Sequence, residues 1–203
     1  LNPTKDFIRT RLTHSIEVSR IGRQAARMLA DIFWGRCDCD NDEKKRAFED
    51  AVSAACLVHD IGHPAFGHAG EKKLDKLLKA ESAKYGWELE FEGNKQNFRL
   101  LAGENYKARS GKNSMNLTCA VLDGICKYKL KKDGVKAGGV YVEDKKKLEK
   151  VLKRTKCKEV LNPITYLVEL ADDISYCASD IEDALKHGWV SKGVVAKTLC
   201  EVR

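Results

Sequence analysis

The chain has 203 residues, 43% hydrophobic and 33% charged, with 37 Lys and Arg against 30 Asp and Glu for a formal net charge of +7. That length suits a single domain over residues 1–203, and the apolar content excludes disorder of the whole chain. The longest nearly unbroken apolar run, residues 51–58, is less than half of the roughly 20 residues a bilayer requires, so no membrane span is expected.

The N-terminus, Leu1-Asn2-Pro3-Thr4-Lys5-Asp6, has neither an initiator Met nor a basic-then-apolar leader, which reads as a piece of a longer polypeptide. A first helix is predicted over 10–33 from the spacing of Leu12, Ile16, Ile21, Ala25, Met28, Leu29 and Ile32. A polar linker over 35–42 leads to a second helix over 43–59, with Ala47, Ala51, Ala54, Ala55 and Val58 facing inward. Gly62 and Pro64 stop it. A third helix begins near Ala69 and carries Leu74, Leu77 and Leu78, and further helical patterns cover 94–102 and 117–128. Residues 131–143, with three glycines, read as a loop or small hairpin. Pro163 suits the first turn of a last long helix ending at Lys186. The fold class is all-α.

Eight cysteines occur without any Cys-x-x-Cys, and Cys37-x-Cys39 has no second pair at zinc-finger spacing. Cys56 and Cys177 lie in apolar helical patterns, where Cys acts as a small hydrophobe. A reduced, cytoplasmic setting is the expectation. The charge is uneven: residues 127–158 hold 13 Lys and Arg against 4 Asp and Glu. Such a run is ordinarily a solvated helix face or loop, and alternatively a surface for a polyanion such as nucleotide phosphates or single-stranded nucleic acid.

The densest chemistry lies in His59-Asp60-Ile61-Gly62-His63-Pro64-Ala65-Phe66-Gly67-His68-Ala69-Gly70-Glu71, with three histidines and two acids in 13 residues. A core tolerates buried imidazole and carboxylate only when they are paired or metal-bound. The adjacent His59-Asp60 pair, at a helix end after an apolar face, puts both groups within reach of one cation. A mixed N/O set suits a hard-to-borderline divalent ion.

Together with Arg11-Leu12-Thr13-His14-Ser15, the segment Phe91-Glu92-Gly93-Asn94-Lys95-Gln96 and Ala171-Asp172-Asp173-Ile174-Ser175-Tyr176, this stretch resembles the bacterial deoxyguanosinetriphosphate triphosphohydrolases of the HD-domain metallophosphohydrolases. The resemblance implies an HD-domain helical bundle around one divalent ion (Mg²⁺, Mn²⁺ or Fe²⁺) held by His14, His59, Asp60 and Asp172. It implies hydrolysis of a deoxynucleoside triphosphate to deoxynucleoside and inorganic triphosphate, and homo-oligomers. Family members also extend beyond both ends of this chain: only ten residues precede Arg11, and the last residue is Arg203.

Asp172 and Asp173 point about 100° apart on a helix, so one of them faces the metal. Asp172, Tyr176, Asp180 and Asp183 form a polar stripe, apart from the apolar stripe Leu167, Leu170, Ile174, Ile181 and Leu185 expected to mark the core side. The family spacing puts Asp172 on the metal and Tyr176 and Asp180 on the deoxyribose, with Asp173 as the alternative ligand. His68 and Glu71, three apart, can touch, and the resemblance places them beside the α-phosphate as the proton-transfer unit. His63 is either a further member of that unit or a structural residue in its turn. Arg11 looks like the phosphate-clamping Arg, or else a surface Arg. Lys127 and Tyr128 resemble the polyphosphate element, and Asn94 and Gln96 border the site without an assigned role.

Overall fold

The computed structural model describes residues 9–34, 42–103, 115–128 and 139–201. The helices are α1 (Arg11–Trp34), α2 (Asp42–Val58), α3 (Gly67–Ala83), α4 (Gly93–Ala102), α5 (Cys119–Gly124), α6 (Lys145–Thr155), α7 (Pro163–Lys186) and α8 (Lys192–Glu201), with a 3-10 turn at Val142–Asp144 before α6. No strand occurs among the described residues. Residues 131–138 of the expected loop or hairpin lie outside them, while Val140 and Tyr141 are buried. Helix α5 is half the predicted length, since the chain turns at Ile125–Tyr128 after a Thr118 cap. The helix over 145–155 emerges from the basic run: Leu148, Val151 and Leu152 turn inward and the lysines outward.

Helix α2 packs against α1, α5 and α7, and α5 joins α6 to them. The α1 face in this core is Ser15, Val18, Gly22, Ala26 and Ala30, whereas Leu12, Ile16, Met28 and Ile32 stand exposed. Helix α7 likewise buries Ile164, Thr165, Leu167, Val168, Ala171 and Ser175, and the expected stripe of Leu170, Ile174 and Ile181 is exposed. Gly22, Ala26, Ala30 and Ala171 let these helices approach closely, and Val18, Leu167 and Val168 fill the space between them. Met28 and Ile174 share one shallow groove with Ile21 and Ala25. Cys56 is buried, and Cys177, expected inside, is exposed. Burial pushes the Cys56 thiol up to about 12, with the nearby Asp172 carboxylate acting in the same direction, so it stays protonated and inert.

Asn162 starts α7 by accepting from Ile164 N–H, and its amide donates to Asp123 at 3.0 Å. That cap lies ten residues before Asp172 on α7, nearly three turns away.

Candidate metal centre and cleft

Three helices converge on one point. His14 comes from α1, His59 directly follows α2, and Asp172 comes from α7. One donor atom from each lies within 4.8 Å of the others. His14 Nε2 is 3.1 Å and His59 Nε2 3.5 Å from Asp172 Oδ1. Asp173, one residue on, points to solvent. Asp60 borders the group, its Oδ1 being 3.5 Å from His59 Nε2 and 3.3 Å from His63 Nδ1.

The second nitrogen of each ring is held from behind. His59 Nδ1 lies 2.6 Å from the Cys56 carbonyl, which can only accept, so Nδ1 carries the hydrogen and Nε2 presents a lone pair. His14 Nδ1 meets the hydroxyl of buried Ser175 at 3.3 Å. His14 Nε2, His59 Nε2, His63 Nδ1 and Asp172 Oδ1 are buried and have no hydrogen-bond partner among the described residues. Buried polar atoms are paired in nearly all folded proteins. Orphaned imidazole and carboxylate atoms converging on one point fit a divalent cation.

Without metal, the neighbouring acids favour the protonated form of His59. Burial alone would lower the His59 pKa, but the Asp172 and Asp60 carboxylates and the Cys56 carbonyl outweigh it and raise it above the ordinary 6.5. Burial would raise Asp172, yet His59, Lys127 and His14 hold it below the ordinary 3.8. In the metal-free protein, charged His59 therefore adds stability that is fully present below about pH 6.5 and lost as pH rises through the raised value. The Asp172 contribution is present above about pH 3.8 and lost as pH falls through the lowered value. A metal must displace the His59 proton, so the rise in unfolding temperature produced by Mn²⁺ is expected to grow from about pH 5.5 to about pH 8. A Mn²⁺-induced shift that stays flat over that range would contradict this coupling.

The cluster forms the floor of a cleft of about 520 Å³ lined by Arg9, Arg11, His14, Asp60, His63, His68, Asn94, Lys127, Tyr128, Asp172 and Tyr176 among others. Arg11 donates to the carbonyls of His63 and Pro64, which anchors it at the rim. Lys127 Nζ is 4.0 Å from Asp172 Oδ2. The Tyr176 ring lies 5.0 Å from that of His14, and burial together with Asp172 and Asp60 raises its hydroxyl pKa. Asn94 donates to Glu92, whose carboxylate caps α4.

Two expectations change. His68 and Glu71 do not bond to each other: Glu71 accepts from the Gly93 N–H at 3.3 Å, while His68 is exposed at the cleft wall with no hydrogen bond among the described residues. Phe66 and Gly67, both left-handed at φ 66 and 54, form the turn that starts α3. Asp180 is exposed and does not line the cleft. Sequence reasoning passed over Arg9, Ser175 and Ser179. Arg9 donates to Ser179 and to the Ser175 carbonyl, linking the start of α1 to α7. The spacing of Ser175, one turn from Asp172, was the available signal.

The HD domain model matches residues 11–155. The chain is 31% identical to a deoxyguanosinetriphosphate triphosphohydrolase-like protein of Listeria monocytogenes, over 97% of this chain and 47% of that one. It is 34% identical to a protein of the same description from Wolinella succinogenes, over 94% of this chain and 44% of that one. A third, from Synechocystis, is 32% identical over 95% of this chain and 50% of its own length. The chain thus spans about half the length of the curated relatives it matches. Because the HD model covers most of the residues, including the first two helices and the turn after them, the chain belongs to the HD-domain family.

Proposed function

We propose that this site hydrolyses deoxynucleoside triphosphates to deoxynucleoside and inorganic triphosphate with one divalent ion, Mg²⁺, Mn²⁺ or Fe²⁺. The observation that carries the reading is the orphaned His14–His59–Asp172 cluster at the floor of a cationic cleft. The relatives' descriptions support the substrate class. Asp60 would complete the ligand set. Bound there, the ion would supply Lewis acidity and offset phosphate charge.

A triphosphate carries about four negative charges, and Arg9, Arg11 and Lys127 line the cleft to counter them. Water would form a bond to the α-phosphorus as the bond to the 5′ oxygen breaks. The departing oxygen keeps the electron pair and takes a proton. His68, whose side chain makes no hydrogen bond among the described residues, would move that proton, and His63, its Nδ1 3.3 Å from Asp60 Oδ1, is the alternative. Tyr176 would lie along the deoxyribose, with Asp180 beyond it.

Product analysis on the full-length protein tests this. Inorganic triphosphate and deoxynucleoside support the reading, whereas orthophosphate or pyrophosphate would assign the site to another HD phosphohydrolase activity, such as a 5′-nucleotidase or phosphodiesterase. Self-association and a cytoplasmic setting belong to the same proposal. The exposed apolar flanks of α1 and α7 support the first, and a strictly monomeric species in light scattering would remove it. No helix among the described residues is long and apolar enough to cross a membrane.

A second reading, a binding module for single-stranded nucleic acid, draws on α6. Lys146, Lys150, Lys153, Arg154, Lys156 and Lys158 are exposed with no ion pair among the described residues. Oligonucleotide binding that weakens steeply with salt and is lost on Glu substitution of these lysines would support it.

A further inference from the structure

Asn97, on α4, is 2% exposed, and both ends of its amide engage one turn. Nδ2 donates to the His59 carbonyl at 2.8 Å, and Oδ1 accepts from the Gly62 N–H at 3.1 Å. A carbonyl can only accept and an N–H only donate, so the amide has one satisfied orientation. These are the only hydrogen bonds of the His59 carbonyl and the Gly62 N–H among the described residues. The amide therefore spans the segment 59–62 from first residue to last, with Asp60 inside it and His63 directly after.

Helix α4 is pressed against this turn by shape as well. A Cβ on Gly62 would sit 2.1 Å from Asn97 N and 2.4 Å from the Gly93 carbonyl. A Cβ on Gly93 would meet the His63 ring at 2.7 Å. His14 and Asp172 are set by the packing of α1 and α7, whereas His59 and Asp60 both stand on the turn that follows α2.

We propose that Asn97 is a positioning residue for the metal centre, clasping the turn so that Asp60 and His63 face the His14–His59–Asp172 cluster. It touches neither the ion nor substrate. The clasp stores orientation: without it, the His59 carbonyl and Gly62 N–H are left unpaired in a buried place and the turn must open to satisfy them. Positioning partners behind metal ligands ordinarily change affinity by about 10–100-fold.

The inference rests on the metal-site reading and not on the identity of the nucleotide, so its test uses Mn²⁺ alone. Calorimetric titration of the full-length, metal-stripped protein compares wild type with Asn97→Ala and Asn97→Ser. Asn162→Ala serves as the control, since it removes a buried asparagine amide and a helix cap away from the turn. Asn97→Ala is expected to weaken Mn²⁺ binding by roughly 10–100-fold, and the Mn²⁺ spectrum by electron paramagnetic resonance to change. Asn162→Ala should lower unfolding temperature while leaving Mn²⁺ affinity within about two-fold of wild type, less than any ligand-shell effect. Equal losses in both variants, or wild-type Mn²⁺ affinity in folded Asn97→Ala, would overturn the proposal. If Asn97→Ala does not fold, the same outcomes are read from Asn97→Ser, whose short hydroxyl cannot span both backbone groups. A wild-type protein that binds no Mn²⁺ would instead defeat the metal-site reading itself.

Discussion

Replacing Asp172 with Asn is expected to remove metal and activity together. Its Oδ1 faces both His14 Nε2 and His59 Nε2, so one atom is central to two of the three contacts in the cluster. Asparagine keeps the shape but carries no charge, and an amide rotated to place its nitrogen inward would oppose a cation outright. The loss of activity should exceed the roughly 10²–10³-fold typical of removing one electrostatic stabiliser, because the ion itself leaves. Substitution of Asp173, which points to solvent, should change little. Metal content by atomic emission alongside turnover checks both statements; an Asp172→Asn protein that keeps stoichiometric metal would displace Asp172 from the ligand set.

The second large effect separates binding from chemistry. His68→Ala is expected to leave the metal bound, since His68 lies at the cleft wall and outside the cluster of donor atoms. Turnover should fall by roughly 10²–10⁴-fold, the usual contribution of a positioned acid or base. KM should move much less, because Arg9, Arg11 and Lys127 remain to hold the phosphates. The absence of a Glu71 contact sharpens the expectation: Glu71→Gln should cost less than His68→Ala, because Glu71 holds the Gly93 backbone and not the imidazole. Metal loss in His68→Ala, or near wild-type turnover, would shift the proton-transfer role to His63.

Part of the candidate site was legible in the linear order because His59, Asp60 and His63 are close in sequence. They sit on one helix end and the turn after it, so they are neighbours in space as in sequence. The helices were legible too: α7 begins at Pro163 and ends at Lys186, as the capping residues at its ends require. Periodicity could not say which flank of a helix would be buried. In α1 and α7 the bulky residues repeat at helical spacing, yet the innermost positions are Gly22, Ala26, Ala171 and Ser175, since helix separation is set by the smallest side chains. Partner choice at the site was likewise a tertiary matter. Glu71 turned to Gly93, Arg9 reached Ser179, and Asn97 closed on the turn from a helix 35 residues beyond Gly62, because each bond depends on where α3, α4 and α7 dock. Residue types and local spacing marked His59 and Asp60 as candidate donors, and the family resemblance added His14 and Asp172; only the packing of separate helices decided which atoms face one another and which hold them in place.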